Sequence, residues 1–289
     1  TRRHGEQDAG GQRHAVGCDA ELREVVDALH EAGVPKSALH YVPGDGRIGA
    51  RLVAHPAVAG VVFTGSTEVA RIINRTLAAK DGPIVPLIAE TGGINAMIVD
   101  ATALPEQVAD DVVMSAFRSA GQRCSALRLM CVQEDVADRM IEMVVGAARE
   151  LKVGDPRDPS VHVGPVIDAE AKEKLEAHVA AMKASARTHL AIPGPAPGTY
   201  VGPHVFELAS ARDLKEEVFG PILHVVRYRA NRLDDVIAAI DATGYGLTLG
   251  IHSRIEDTVA QIVARLETGN VYVNRNIIGA GVGTQPFGG

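Results

Sequence analysis

The sequence predicts an α/β fold, and three observations support this. Short apolar runs typical of buried parallel strands alternate with longer segments of helical period, as in residues 60–64 followed by residues 66–79. The composition is 46% apolar and 22% charged, which is ordinary for a globular protein. With 289 residues, the chain can bury the core of one large domain or two medium ones.

The first predicted elements follow from the apolar period and from residues that stop helices. Helical spacing predicts a helix over residues 22–32 that stops at Gly33. Ser66 is the expected N-cap of a second helix over residues 66–79. Apolar runs predict strands at residues 39–42, 60–64, 84–89 and 96–99.

The alternation continues through the rest of the chain. Helices are predicted at residues 105–120, 136–151, 170–186, 233–242 and 255–266. Strands are predicted at residues 127–132, 222–228, 248–252 and 270–274. Residues 153–166 and 192–202 are rich in Gly and Pro and are therefore expected to be loops.

The two ends differ from the rest of the chain. Residues 1–20 begin with Arg, His, Gly and Gln in no periodic order, so this segment is expected to be atypical and disordered. Residues 285–289 stop within a glycine-rich segment. The chain is therefore expected to be a fragment, truncated at both ends.

Charge and cysteine content bear on the possible partners. The formal net charge of −7 comes without a basic stripe, which argues against a nucleic-acid partner. No apolar run approaches the roughly 20 residues that a membrane span requires. The cysteines Cys18, Cys124 and Cys131 have neither disulfide nor zinc spacing, and the histidines are dispersed. We expect no metal site and a cytoplasmic location.

Cys124 and Glu90 are the candidate catalytic residues. Cys124 follows a predicted helix that ends near Gly121, and a helix end or the adjacent Arg123 could favour the thiolate that a nucleophile requires. Glu90 closes an apolar strand just before Gly92 and Gly93. Taken alone, the cysteine could equally be a packed residue, and the glutamate could cap a turn.

Two further segments have features of a nucleotide site. Gly65 and Ser66 form a tight turn into a helix, where backbone N–H groups could hold a phosphate. Glu217 and Phe219 precede a strand; the acid could bind ribose hydroxyls and the ring could pack against a flat group. The alternatives are an ordinary strand-to-helix turn and a helix end with a buried Phe.

Together these segments resemble the aldehyde dehydrogenase superfamily, over roughly residues 25–289. The general motifs are FTGSTEVA, the ETGG that begins at Glu90, GQRC around Cys124, and EVFGP from Glu217. The longer stretches GQRCSALR, ETGGINAMIVD and VNRNIIGAGVGTQPFGG resemble one branch, L-glutamate γ-semialdehyde (1-pyrroline-5-carboxylate) dehydrogenase. Within that branch they are most similar to the C-terminal half of bifunctional proline utilization A. Ile94 departs from it, since the branch typically has glutamine there.

The resemblance implies an aldehyde dehydrogenase-like fold and an NAD-dependent reaction on a small-molecule aldehyde. Cys124 would attack the aldehyde, hydride would pass to NAD, and Glu90 would activate the water that hydrolyses the thioester. Residues 21–90 would be the later half of a parallel-sheet NAD-binding domain, residues 91–276 the α/β catalytic domain and residues 277–289 a substrate-anchoring loop. The resemblance also implies binding residues. These are Gly65 and Ser66 for the cofactor phosphates, Glu217 and Phe219 for the nicotinamide side, and Ser125, Gly279, Ala280 and Phe287 for the substrate carboxylate and chain.

Two other interpretations stay open. The family's oxyanion-hole asparagine lies in a tryptophan-containing segment, and this chain has no tryptophan. It could therefore be an inactive fragment that at most binds or packs against a partner. Full-length family members oligomerise, and this chain is expected not to form the family's dimer. The other interpretation is a cofactor-free thiol hydrolase that uses Cys124 and a histidine.

Overall fold

The computed structural model describes residues 16–280 and 287–288, and side chains from residue 22 onward. The chain divides into two compact units, called here unit 1 (Thr1–Ala89) and unit 2 (Glu90–Gly289). Within the part of the chain that is described, no helix is both long and apolar enough to cross a membrane.

Unit 1 contains three helices and a two-stranded sheet among its described residues. These elements are α1 Val16–Glu31, α2 Gly46–Ala54, β1 Val61–Thr64, α3 Thr67–Ala78 and β2 Leu87–Glu90, with β1 beside β2. The last residue of β2, Glu90, is the first residue of unit 2. Gly33 has φ +103° just after α1, as its predicted role at a helix end requires. The Ser66 side chain accepts a hydrogen bond from the Val69 N–H at 3.2 Å, which confirms the predicted N-cap.

Two predictions in unit 1 were wrong, and one helix was missed. Residues 16–20 were expected to be disordered but form the start of α1, because they continue the helix without a proline; residues 1–15 lie outside the described residues. Residues 39–42 form no strand, since Pro43 and Gly44 follow them at once and end the extended run. Helix α2 was not predicted because its two glycines mask its helical period; Asp45 caps it through the Arg47 N–H at 2.9 Å.

Unit 2 is built on a seven-stranded sheet of described residues, with strand order β5-β6-β7-β4-β3-β8-β9. The strands are β3 Asn95–Val99, β4 Leu127–Gln133, β5 Arg187–Ala191, β6 His204–Glu207, β7 Ile222–Tyr228, β8 Thr248–His252 and β9 Asn270–Val273. The helices are α4 Pro105–Phe117, α5 Glu134–Arg149, α6 Ala169–Ser185, α7 Leu233–Asp241 and α8 Glu256–Val263. All neighbouring strands are parallel except β5 and β6. The predicted α/β class is therefore confirmed.

The core of unit 2 lies along the central strands. Every residue of β3 and β8 is buried, and in β4 and β7 only one residue each is partly exposed. Continuous burial is what a parallel sheet covered on both faces produces, and it explains the apolar runs in the sequence. Cys131 lies in β4 with no exposed surface, as its position in an apolar run predicts.

The helix predicted over residues 105–120 ends earlier than expected, at Phe117. A short 3-10 turn, Arg118–Gly121, follows it, and in this turn Ser119, Ala120 and Gly121 have φ of 56°, 53° and 65°. Left-handed conformations of this kind cannot continue an α-helix. The reversal redirects the chain toward β4 and leaves Cys124 in a loop between the turn and the strand.

Candidate active site

Cys124 is half-buried in the loop before β4, and its backbone is held by a buried amide. Asn95 Nδ2 donates to the carbonyl oxygens of Cys124 at 2.6 Å and Ala126 at 2.8 Å. Asn95 Oδ1 accepts the N–H of Thr248 at 3.2 Å. One side chain at the start of β3 thus joins the cysteine loop to β8.

The surroundings of Cys124 favour the thiol over the thiolate. Burial raises the pKa of Cys124 above its usual value. Hydrogen bonds from the backbone N–H groups of Ser125 and of Cys124 itself lower that pKa, whereas the charges of Glu217 and Glu90 raise it. The thiol therefore needs a proton acceptor, or a substrate that stabilises the anion, before it can react.

Arg123, the neighbour expected to assist the cysteine, is directed elsewhere. Its Nε donates to Ser119 Oγ at 3.0 Å. The arginine that lies within the site is Arg128, which has no exposed surface. Its Nη1 donates to Gly121 O at 2.6 Å, and its Nη2 donates to Glu217 Oε1 at 3.2 Å.

Glu217 turns inward, against a pair of glycines. A Cβ on Gly92 would overlap the Glu217 carboxylate, so this contact requires glycine at position 92. Burial raises the pKa of Glu217, and the charge of Arg128 and a hydrogen bond from the Gly93 N–H oppose this rise. The ETGG segment therefore has a structural role, because it seats the carboxylate of the EVFGP segment.

Glu90 ends β2, and its charge reaches the cysteine, as its effect on the pKa of Cys124 shows. The end of the chain also approaches it: a Cβ built on Gly288 would lie 2.9 Å from Glu90 Oε1. The structure thus brings Ser125, Glu217 and Glu90 together around the thiol of Cys124. Gly288 lies beside Glu90.

A cavity of about 740 Å³ opens next to Glu217 and Phe219, between their loop and α6. Its size is within the range of small-molecule sites. Phe219 is 44% exposed, so the alternative of a buried Phe is wrong. Arg128 lies under this ring, with its guanidinium carbon 5.2 Å from the ring centre.

The residues predicted to bind the substrate carboxylate and chain lie in three places. Ser125 is buried beside the thiol, and its carbonyl accepts from Thr248 Oγ1 at 3.3 Å. Gly279 and Ala280 follow β9, where the contact given for Gly279 is local, from Arg275 Nη2 to its carbonyl at 3.3 Å. Phe287 is 42% exposed, and residues 281–286 of the proposed anchoring loop lie outside the described residues.

Gly65 and Ser66 belong to unit 1, at the start of α3. A Cβ on Gly65 would lie 2.5 Å from the Phe63 ring, so the turn is closely packed. The first N–H groups of an α-helix have no partner within the helix, which is the arrangement that a phosphate site uses. Among residues 16–280 and 287–288, no group of three or more His, Cys, Asp or Glu could hold a metal ion.

Sequence reasoning missed the two side chains that organise this site, Arg128 and Asn95. Each had a signal: Arg128 is the one charged residue of β4, and Asn95 begins the otherwise apolar β3. A polar group in a buried strand must find partners, so such a residue marks a local hydrogen-bond network.

Comparison with known proteins gives the family. The family model described as aldehyde dehydrogenase family matches residues 21–289. The chain is 52% identical to the bifunctional protein PutA of Klebsiella aerogenes, over 91% of this chain and 21% of that protein. It is 38% identical to the 1-pyrroline-5-carboxylate dehydrogenase of Geobacillus sp. strain WCH70, over 91% of this chain and 52% of that protein.

Solved structures agree with these relatives. A crystal structure of a bifunctional proline utilization A protein matches with a TM-score of 0.92 and 73% identity, over 93% of this chain and 27% of that one. The 1-pyrroline-5-carboxylate dehydrogenase from Thermus with bound NAD matches with a TM-score of 0.89 and 33% identity, over 94% of this chain and 53% of that one. The chain spans about a fifth to about half the length of these relatives, and it belongs to the aldehyde dehydrogenase family.

Proposed function

We propose that this chain carries the thiol chemistry of an NAD-dependent oxidation of L-glutamate γ-semialdehyde to L-glutamate. The observation that carries the proposal is the grouping of one half-buried thiol with two backbone N–H groups and two carboxylates. The names of the relatives, PutA and 1-pyrroline-5-carboxylate dehydrogenase, support the choice of substrate and a role in proline catabolism.

Each group has a task in this chemistry. Cys124 Sγ attacks the aldehyde carbon and forms a hemithioacetal, while the N–H groups beside it stabilise developing negative charge. The chemistry that a bound NAD would supply here is a hydride acceptor for that carbon, which turns the hemithioacetal into a thioester. Glu90 then removes a proton from water as the water attacks the resulting thioester. The products are the free Cys124 thiol and the carboxylic acid.

The residues beside the cavity fit a cofactor. Phe219 offers an exposed ring face, and Glu217 offers a carboxylate that Arg128 and the Gly93 N–H hold in place. We propose that these two residues flank the nicotinamide and its ribose. In unit 1, Gly65 and Ser66 would hold the phosphates at the N-terminus of α3.

Substrate selectivity would come from recognition of the α-amino acid end. We propose that Ser125, Gly279, Ala280 and Phe287 anchor the carboxylate and chain of the semialdehyde. Backbone N–H groups next to a hydroxyl can bind a carboxylate without a lysine. A site that hydrogen-bonds a charged group discriminates strongly against an apolar analogue, because its donors would otherwise be left unpaired.

The test compares two aldehydes of similar length by NADH formation. We expect kcat/KM for glutamate γ-semialdehyde to exceed that for pentanal by about 10² or more. Equal values would contradict the proposed substrate. No oxidation of either aldehyde would favour the inactive alternative, in which the chain only binds or packs. NAD-independent ester cleavage without oxidation would favour the thiol hydrolase, although no histidine is among the groups that shift the pKa of Cys124.

A further inference from the structure

Arg128 is a fully buried arginine whose hydrogen bonds join two loops of the site. Nη1 donates to Gly121 O at 2.6 Å and to Gly220 O at 3.2 Å. Nη2 donates to Arg123 O at 3.0 Å and to Glu217 Oε1 at 3.2 Å. Two of these acceptors lie in residues 118–126, which we call the cysteine loop. The other two lie in residues 216–221, the glutamate loop.

The two loops meet at their backbones, where Arg128 bridges them. A Cβ on Gly121 would overlap Gly220 O, so the backbones of the two loops are in contact at these glycines. A single Nη1 atom donates to the carbonyl oxygens of both glycines, which brings those oxygens close together. Close carbonyl oxygens repel each other, and a shared cationic donor removes that repulsion.

The cysteine loop has a conformation that its own sequence does not favour. Ser119 and Ala120 have φ of 56° and 53°, and non-glycine residues adopt such angles only where the surrounding structure enforces them. Arg128 binds the carbonyl of Gly121, the third left-handed residue in succession. It also binds the carbonyl of Arg123, directly before the nucleophile.

We propose that Arg128 is a positioning residue for Cys124, which acts through the fixed geometry of its planar guanidinium and not through its charge alone. The proposal rests on the proposed function, in which Cys124 is the nucleophile. A guanidinium presents its donors in a rigid fork, whereas a lysine ammonium is a point charge with three donors. Lysine therefore keeps the charge at position 128, but its single nitrogen cannot replace the four hydrogen bonds that Nη1 and Nη2 make together.

Three charged groups face the thiol, and variants of two of them can separate the effect of the Arg128 charge from the effect of its hydrogen-bond geometry. Glu90 faces Cys124 from the end of β2, Glu217 from the glutamate loop and Arg128 from β4. Arg128→Met removes both the charge and the fork. Arg128→Lys removes the fork only. The double variant Arg128→Met with Glu217→Gln also removes the fork. It replaces the ion pair, whose net charge is zero, with two uncharged side chains, so the net charge at these two positions does not change.

The experiment measures the pH dependence of Cys124 alkylation by iodoacetamide, in the full chain, by peptide mass spectrometry. We expect the apparent pKa of Cys124 to rise by about one unit in all three variants. The reason is that the backbone N–H groups that favour the thiolate are no longer held against Sγ. Arg139, whose side chain is 70% exposed on α5, supplies matched controls. Arg139→Lys and Arg139→Met should keep the wild-type profile.

An unchanged profile in Arg128→Met would overturn the proposal. So would a wild-type profile in Arg128→Lys or in the double variant, because charge alone would then suffice. If the arginine variants fail to fold by circular dichroism, Gly121→Ala tests the contact between the two loops that Arg128 bridges, and a wild-type Cys124 profile in it would overturn the proposal. Its methyl group displaces Gly220 O and leaves every charge in place. The assay uses neither NAD nor aldehyde, so it separates this proposal from the proposed function.

Discussion

The reactivity of Cys124 depends on a balance between burial and a few fixed groups. Burial and two carboxylates raise the pKa of the thiol, and two backbone N–H groups lower it. Arg128 offsets one of the carboxylates by pairing with Glu217. A thiol whose pKa is raised is mostly protonated near neutral pH, and it is therefore a weak nucleophile.

At the residue scale, Glu217→Gln is expected to lower the pKa of Cys124, because the Glu217 charge is one cause of its rise. A lower pKa means more thiolate near neutral pH. Alkylation by iodoacetamide at about pH 7.5 should therefore become about three- to tenfold faster, as a shift of up to one unit implies. The amide still offers Arg128 an acceptor.

Glu216→Gln is the matched control for this change. Glu216 is exposed and adjoins Glu217 in the same loop, and its charge is not among the groups that shift the pKa of Cys124. We expect alkylation at the wild-type rate in this control. Unchanged or slower alkylation in Glu217→Gln would show that the carboxylate does not act on the thiol.

At the element scale, glycines serve opposite purposes in the loops and in the helices. Gly92 and Gly121 allow a carboxylate and a carbonyl oxygen to approach the backbone more closely than a Cβ would permit. Gly146 lies in the exposed interior of α5, where a Cβ would meet nothing within 4 Å. The first two are required by packing, whereas the third only weakens its helix.

Two alanine substitutions should therefore have opposite effects on the free energy of unfolding, measured by urea denaturation. Gly92→Ala should lower the free energy of unfolding by about 1–3 kcal/mol, because the methyl group would displace the carboxylate of Glu217. Gly146→Ala should raise it by about 0.5–1 kcal/mol through helix propensity. A neutral effect of Gly92→Ala would mean that the carboxylate moves aside without cost.

The elements that the sequence predicts well are those that are long, periodic or fully buried. Helices α5 and α6 and strands β3, β4, β7 and β8 lie where the pattern places them. Strands β5 and β6 were missed, because they are short and are separated by residues 192–202, rich in Pro and Gly. They are fixed by tertiary pairing, of β6 with β7 and of β5 with β6, which local sequence does not show.

At the scale of the whole molecule, the buried hydrophobic core lies within unit 2, from Ile94 to Ile277 among the described residues. Unit 1 instead exposes many of its large apolar side chains, with Ile84 99% exposed and Val62 77% exposed.

Motifs identified the family from the sequence, because each lies in a short continuous segment. The bonds of Arg128 could not be predicted, since they connect residues as far as 92 positions apart.

The most direct test of the cysteine and glutamate chemistry is the fate of the thioester in Glu90→Gln. We expect a burst of about one NADH per site and then a stall, because water is no longer activated while hydride transfer continues. Intact-protein and peptide mass spectrometry should then find the acyl group on Cys124. The same change at Glu106, whose side chain is 72% exposed, should leave turnover unaltered. An unchanged steady-state rate in Glu90→Gln, or an acyl group on Cys131, would contradict the proposed chemistry.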